Sequence, residues 1–252
     1  MNILIVYAHP KPDSLTGALK DVAVQQLRSD GHEVVVSDLY AMDWKAQADT
    51  DDVGEVEEAN FMLATGEAYR TGSLGADIRA EQEKLLWADA VLLHFPLWWF
   101  AMPAIMKGWV DRVLTNGFAY GASGHALPRY GDGVLRGKRA MVVVSIGGRE
   151  PAYSDRGING RLDDVLYPIN HGILYYPGMD VLPAFPVYGA IRVSDRRFAE
   201  VADALRQRLS QLDEIEPIAY RPQSGGDYDR SLRLEPGRER NGATGFDLHI
   251  AS

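Results

Sequence analysis

The chain has 252 residues, 46% of them hydrophobic, which suits one α/β domain with an extension or at most two small domains. Its 26 Lys and Arg stand against 35 Asp and Glu, and a net charge of −9 leaves no basic excess to displace phosphate counterions, excluding a nucleic-acid-binding role. Cysteine is absent, which excludes disulfides, a thiolate nucleophile and cysteine-ligated metal clusters.

Asn2 to Tyr7 is a run of β-branched and apolar residues that predicts a strand buried on both faces. HPKPDSL then ends the strand and opens a helix with Leu19, Val22, Ala23 and Leu27 on its core face and Gly31 as its stop signal. Val34 to Val36 predicts a second strand, and Glu55 to Trp87 a mostly helical region broken near Gly72 to Gly75. Ala90 to Pro96 predicts a third strand. Pro103 fits the first position of the next helix, which turns Met106, Trp109, Val110 and Val113 inward. Ala140 to Ile146 is the fourth strand, and an irregular fifth lies between Met179 and Val187, interrupted by Pro183 and Pro186. Phe198, Val201, Ala202, Leu205, Leu209 and Leu212 mark a closing helix.

Strands alternating with helices predict an α/β fold, a doubly wound five-stranded parallel sheet of flavodoxin type. The domain is expected over residues 1–212. Residues 213–252, rich in Gly, Arg, Asp and Pro, read as a C-terminal tail without a core of its own. The longest uncharged stretch, Ala90 to Met106, has 17 residues and two prolines, short of the ~20 apolar residues a membrane span needs. With no basic region or cleavage site at the N-terminus, the protein is expected to be soluble and cytoplasmic.

In such a sheet, ligands sit beyond the strand C-termini where strand order reverses. The loop from His9 to Thr16 meets a helix N-terminus, which favours an anion, and equally reads as an ordinary capping turn with Asp13 or Ser14 as N-cap. PLWWFAMP puts adjacent aromatics in a connection, suiting a large flat ligand or a dimer interface. Gly147-Gly148, followed by Tyr153 and Asn159, offers close backbone approach and hydrogen-bond donors, or simply a glycine turn. Together these loops suggest a planar, phosphate-bearing cofactor, and flavin fits better than nicotinamide because the first loop lacks G-x-G-x-x-G. The acidic run Asp49 to Asp52 reads as a solvated turn, with a hard-cation site as the alternative. The six histidines show no i, i+4 pairing, and no G-x-S-x-G elbow occurs.

Four segments in order, VYAHPKPDSLTGALK, VVVSDLYAMDW, FPLWWFAMPAIMKGWVDRVL with GFAY, and GGREPAYSDRGINGRL, resemble the two-electron NAD(P)H:quinone reductases, the DT-diaphorase family of flavodoxin-like flavoproteins, over residues 2–212. The resemblance implies non-covalent FAD. It places His9, Leu15 and Thr16 at the pyrophosphate and Asn60 near the cofactor, where the family usually has glutamine. It lines the isoalloxazine with Leu97, Trp98, Trp99 and Phe100, and sets Ser145, Ile146, Gly147 and Gly148 on a threonine-threonine-glycine-glycine segment. Tyr153 falls beside the ring and Arg197, one residue out of step, on the adenine side. Tyr120 matches a substrate-contacting tyrosine, and Ala122, in a lengthened GASGHALPRY segment, replaces a second one. Tyr153 and Asn159 are the implied catalytic pair. Asn159 replaces the histidine of the best-known branch and is shared with a branch that uses NAD(P)H poorly. No metal is expected: His171 matches the first ligand of one branch's site, but Tyr175 replaces the second and cysteine is absent.

The implied activity is ping-pong transfer of a hydride from NAD(P)H to a quinone in a homodimer whose sites draw on both subunits. Two alternatives stand beside it: a flavoprotein ancillary regulator of a potassium efflux system, with the tail as docking element, and an FMN-dependent azoreductase.

Overall fold

The computed structural model describes residues 1–121 and 128–251; Ala122 and the middle of GASGHALPRY lie outside them. Strand β1 (Asn2–Tyr7) pairs in parallel with β2 (Glu33–Asp38) on one side and β3 (Ala90–Pro96) on the other, and β4 (Arg139–Ile146) follows β3. The expected fifth strand is divided. β5 (Asp180–Val181) pairs with the start of β4 and β6 (Phe185–Tyr188) with its end, both parallel. Proline cannot donate to a ladder, so Pro183 falls in the gap and Pro186 is confined to this outermost position.

The helices are α1 (Leu15–Ser29), α2 (Phe61–Thr71), α3 (Ala76–Trp87), α4 (Ala104–Val113), α5 (Leu162–Ile169) and α6 (Asp195–Ser210). Strand side chains alternate between the two faces of the sheet. Ile3, Ile5, Leu92 and Val143 pack with Leu19 and Leu27 of α1 and Leu205 and Leu209 of α6. Leu4, Val6, Leu93 and Val142 pack on the other face with Ile78 of α3, Met106 of α4 and Leu166 of α5. The sheet is therefore covered on both sides, as the continuous apolar strands required.

Some elements differ from the reading of the sequence. The helical region begins at Phe61, not Glu55, because the Asn60 side chain accepts from the amides of Met62 and Leu63 and caps α2 there. Pro103 is the N-cap of α4 and not its first residue. Helix α5 and the π-helical turn Asn170–Tyr175 that extends it were unforeseen, since Pro168 interrupts the spacing of Leu162, Leu166 and Ile169.

Asp49 to Asp52 is a solvated turn only in part: Thr50 and Asp51 are exposed. Asp52 is buried, and the buried guanidinium of Arg112 on α4 donates to its two oxygens at 2.9 and 3.1 Å. Arg112 also reaches Asp77 of α3 at 2.7 Å, and Lys45 reaches Asp52 at 3.1 Å. Burial pushes the Asp52 carboxyl up, but the Arg112 and Lys45 hydrogen bonds outweigh it and hold it below the ordinary carboxylate range. That contribution to stability is present above the unfolded carboxyl pKa and is lost as pH falls through the lower folded value.

The tail returns across the α5 side of the domain. Ile218 N–H donates to the Val181 carbonyl at 2.7 Å, Ala251 N–H to that of Ala219 at 2.7 Å, and Tyr220 is buried in the main core. Among the described residues, no helix is long and apolar enough to cross a membrane.

Removing the Arg112 side chain leaves the Asp52 charge buried and unpaired, so Arg112→Ala should lose about 3–5 kcal/mol in urea unfolding.

Candidate functional site

The loops that follow β1, β3 and β4 meet around a cleft of about 370 Å³. The first loop is shaped by the sequence of the α1 entry. Ser14 caps the helix by accepting from the Gly17 amide at 3.1 Å. A Cβ at Gly17 would lie 2.0 Å from the Pro12 carbonyl oxygen, so only glycine lets the proline-rich loop fold back on the helix. The amides of Leu15 and Thr16 make no hydrogen bond among the described residues and border the cleft, at the positive end of the helix. The Thr16 hydroxyl meets that of Ser145 at 2.7 Å, tying α1 to the end of β4. His9 Nδ1 lies 3.0 Å from both the amide and the carbonyl of Lys11, which holds the ring against the turn.

The second loop is a tight reversal. Trp98 and Ala101 exchange both backbone hydrogen bonds at 3.0 Å, and the two residues between them have positive φ, 51° at Trp99 and 60° at Phe100. That is glycine and asparagine territory, and a bulky residue there stores about 1–3 kcal/mol of strain. Trp99 is 96% exposed and Phe100 51%. Large apolar rings turned outward on a strained turn are poor packing and a ready contact surface.

The third loop brings Tyr153 against Gly148, where a Cβ would sit 2.9 Å from the Tyr153 ring. Tyr153 also faces Phe100 with centroids 6.5 Å apart and Tyr188 at 5.9 Å, so it joins the β3 and β4 loops. Gly148 and Ile146 accept from the Gly189 and Ala190 amides at 2.9 Å, which fixes the glycine pair to the turn after β6.

The cleft thus collects His9, Leu15, Thr16, Leu97, Trp98, Ser145 and Gly147 in its lining, with Phe100, Gly148 and Tyr153 grouped beside it. Ile146 sends its side chain into the core and has only backbone to offer. Asn159 is half-buried in the same loop as Tyr153, its amide donating to the Ala152 carbonyl at 3.0 Å. Three expected residues are not brought to the cleft. Asn60 is spent on capping α2, and Arg197 is exposed on α6, paired with Glu200. Tyr120 lines a separate apolar cleft of about 430 Å³ with Phe61 and Met62. Ala190 and Ile191 line the main cleft unforeseen; their signal is that they directly follow the last strand, whose end lies at the same edge.

The His171 ring, matched to the first metal ligand of one branch, lies between those of Tyr130 and Tyr167, at 4.9 and 4.6 Å, and Tyr175 donates to the Tyr220 carbonyl. Burial pulls His171 down to about 4, so it is neutral at pH 7. No group of three metal-ligating side chains converges among the described residues.

A parallel sheet with an anion-ready helix end and flat apolar surfaces beyond its strand C-termini defines the flavodoxin-like class, and residues 1–211 match the family described as having a flavodoxin-like fold. A ribosyldihydronicotinamide dehydrogenase-like protein of Penicillium crustosum is 49% identical over 99% of this chain and 95% of its own length. The human ribosyldihydronicotinamide dehydrogenase (quinone) is 42% identical over 86% of this chain and 94% of its own. A solved structure from Klebsiella pneumoniae, assigned provisionally to the quinone reductases, is 50% identical, covers 100% of both chains and superposes with a TM-score of 0.95. The chain belongs to this quinone reductase family of flavodoxin-like proteins.

Replacing Trp99 by glycine removes a ring that the chain itself does not bury and relieves the positive φ. Trp99→Gly should therefore raise unfolding stability by about 1 kcal/mol in guanidinium melts at micromolar protein.

Proposed function

We propose that the protein is a quinone reductase that takes two electrons from a reduced nicotinamide and delivers them to a quinone, using non-covalent FAD in the cleft between the β1, β3 and β4 loops. The observation that carries this reading is the meeting, in one cleft, of two unpartnered helix-end amides with an outward aromatic turn and a bare glycine edge. The residues fit the group. The Leu15 and Thr16 amides suit a pyrophosphate, with the His9 ring beside them, and Leu97, Trp98 and Phe100 give apolar surface for a planar ring. Gly147 brings backbone close without a side chain in the way.

A bound flavin supplies the two-electron redox chemistry, and the protein supplies position and electrostatics. The Tyr153 phenol can donate a hydrogen bond to charge developing in the cleft. Asn159 can also donate, but its amide has no proton to transfer at neutral pH. The heavier share therefore falls on Tyr153. With asparagine at this place, and ribosyldihydronicotinamide dehydrogenases among its relatives, the enzyme is read as accepting small reduced nicotinamides better than NADH or NADPH.

Asn60 and Tyr120 fit the same reading through a second subunit. Asn60 directly precedes Phe61 and Met62, which line the separate cleft with Tyr120, and a homodimer that set this face over the partner's cleft would bring both residues to a site. The working unit is then a cytoplasmic homodimer, catalytic over residues 1–212.

Releasing the cofactor by denaturation and measuring its mass should give FAD; FMN would favour the azoreductase reading. Tyr153→Phe should retain its flavin and slow quinone turnover about 10- to 150-fold, the loss of about 1.5–3 kcal/mol for one hydrogen bond to a charge. Dilution followed by sedimentation and flavin fluorescence should show cofactor leaving as subunits part, whereas a monomer that keeps its flavin would end the shared-site reading.

A further inference from the structure

The cleft of about 430 Å³ that Tyr120 lines is walled mainly by apolar and aromatic side chains, among them Phe61, Met62, Ile173 and Tyr176. One cation stands at its margin. Arg129 donates from Nη1 to the Tyr176 hydroxyl at 3.3 Å, and its guanidinium carbon lies 5.6 Å from the centre of that ring. Tyr176 in turn meets Tyr120 edge-on, with 6.2 Å between centroids. The backbone that follows Arg129 is pinned to the same wall. The Tyr130 amide donates to the Tyr176 carbonyl at 2.8 Å, and the Gly131 amide to that of Tyr175 at 3.1 Å.

The charge of Arg129 is unspent. Among the described residues no carboxylate pairs with it, and most of its five N–H donors are left over after the Tyr176 bond. Two acids close by, in the chain or in the cleft, are already occupied. Asp132 is held by Arg136 at 3.5 Å and by the Ser224 hydroxyl, and Asp111, which lines the cleft, by Lys107 at 2.5 Å. A ring face is a weaker partner for a guanidinium than a carboxylate, which can take two parallel N–H bonds. Flat aromatic walls suit a planar ring, and the unpaired cation beside them suits an anionic group carried on that ring.

We infer that Arg129 is a specificity residue for the oxidising substrate, favouring a quinone that carries a carboxylate on a short side chain. The quinone ring meets Tyr120 and Tyr176, and the carboxylate accepts from the guanidinium beyond them. The inference rests on the proposed reading, in which a homodimer sets this face over the partner's cleft, and adds to it the class of quinone. The carboxylate takes no part in the redox step. A hydride and a proton turn the quinone into its hydroquinone, and the side chain leaves unchanged.

The test compares a naphthoquinone bearing a propanoate side chain with the methyl ester of the same compound. Two methylene groups insulate the ring, so the pair share nearly one reduction potential. In a ping-pong scheme kcat/KM for the quinone reports the oxidising half-reaction alone, so the electron donor does not enter the comparison. On the flavin-loaded protein, kcat/KM should favour the acid over the ester about tenfold, and the margin should shrink as salt is raised. Kd values read from the perturbed flavin spectrum should show the same preference. Arg129→Gln should bring the acid-to-ester ratio close to one, and Arg129→Lys should restore part of it. A ratio that Arg129→Gln leaves unchanged would overturn the inference while quinone turnover, and the reading beneath it, stood. An equal loss for acid and ester in the variant, or subunits that part in sedimentation, would make Arg129 a structural residue and overturn it as well. No turnover of either quinone by the natural chain would end the redox reading itself, and the inference with it.

Discussion

The site depends on the parallel pairing of β1 with both β2 and β3. Tyr7 is in register with Asp38 on one side and His94 on the other, so neighbouring strands end together at one edge of the sheet. The chain leaves the end of β1 through α1 on one face of the sheet and the end of β3 through α4 on the other. The two paths diverge above β1 and β3, and the crevice between them is where a ligand can reach the strand ends. Strand spacing of ~4.8 Å then sets how far apart the loops begin. The Thr16–Ser145 hydroxyl contact and the Leu97 amide donating to the Ser145 carbonyl at 2.8 Å hold that spacing at its rim.

What stands in the crevice is mostly backbone and aromatic surface. Its chemistry is that of a holder: amides at a helix end, a glycine edge, and rings presented by a strained turn. The buried arginines are elsewhere and serve the fold. Arg112 anchors α4, the helix that follows the aromatic turn, to Asp52 and Asp77. Arg221 gathers three separate parts of the tail around one guanidinium. Arg161, at the start of α5, forks to Asp247 of the tail at 2.7 and 2.8 Å, just after the loop that carries Tyr153 and Asn159. The tail, with few aliphatic residues, is therefore ordered by ion pairs, carbonyl contacts and one aromatic stack.

The sheet and its covering helices were legible in the chain because their signals are local. β3 runs from Ala90 to Pro96 as its apolar residues predict, and α1 turns inward the residues whose spacing marks them. Many cleft residues were legible too, since each follows a strand end and strand ends share an edge. Asn60 and Tyr120 were named from motif position alone, and within one chain neither reaches the cleft. The burial of Asp52 was not legible, because its partner Arg112 lies 60 residues away and nothing near the acidic run announces a guanidinium.

By itself, then, the order of residues determined most of the elements, the two-sided sheet and the edge at which a ligand would be met, because hydrophobic periodicity and turn chemistry act over a few neighbouring residues. Only the tertiary structure decided the contact of Phe100 with Tyr153 and the way the tail closes a cavity over His171. Each of these depends on groups far apart in the chain meeting at one place, and the free energy of such a meeting is a property of the packed whole.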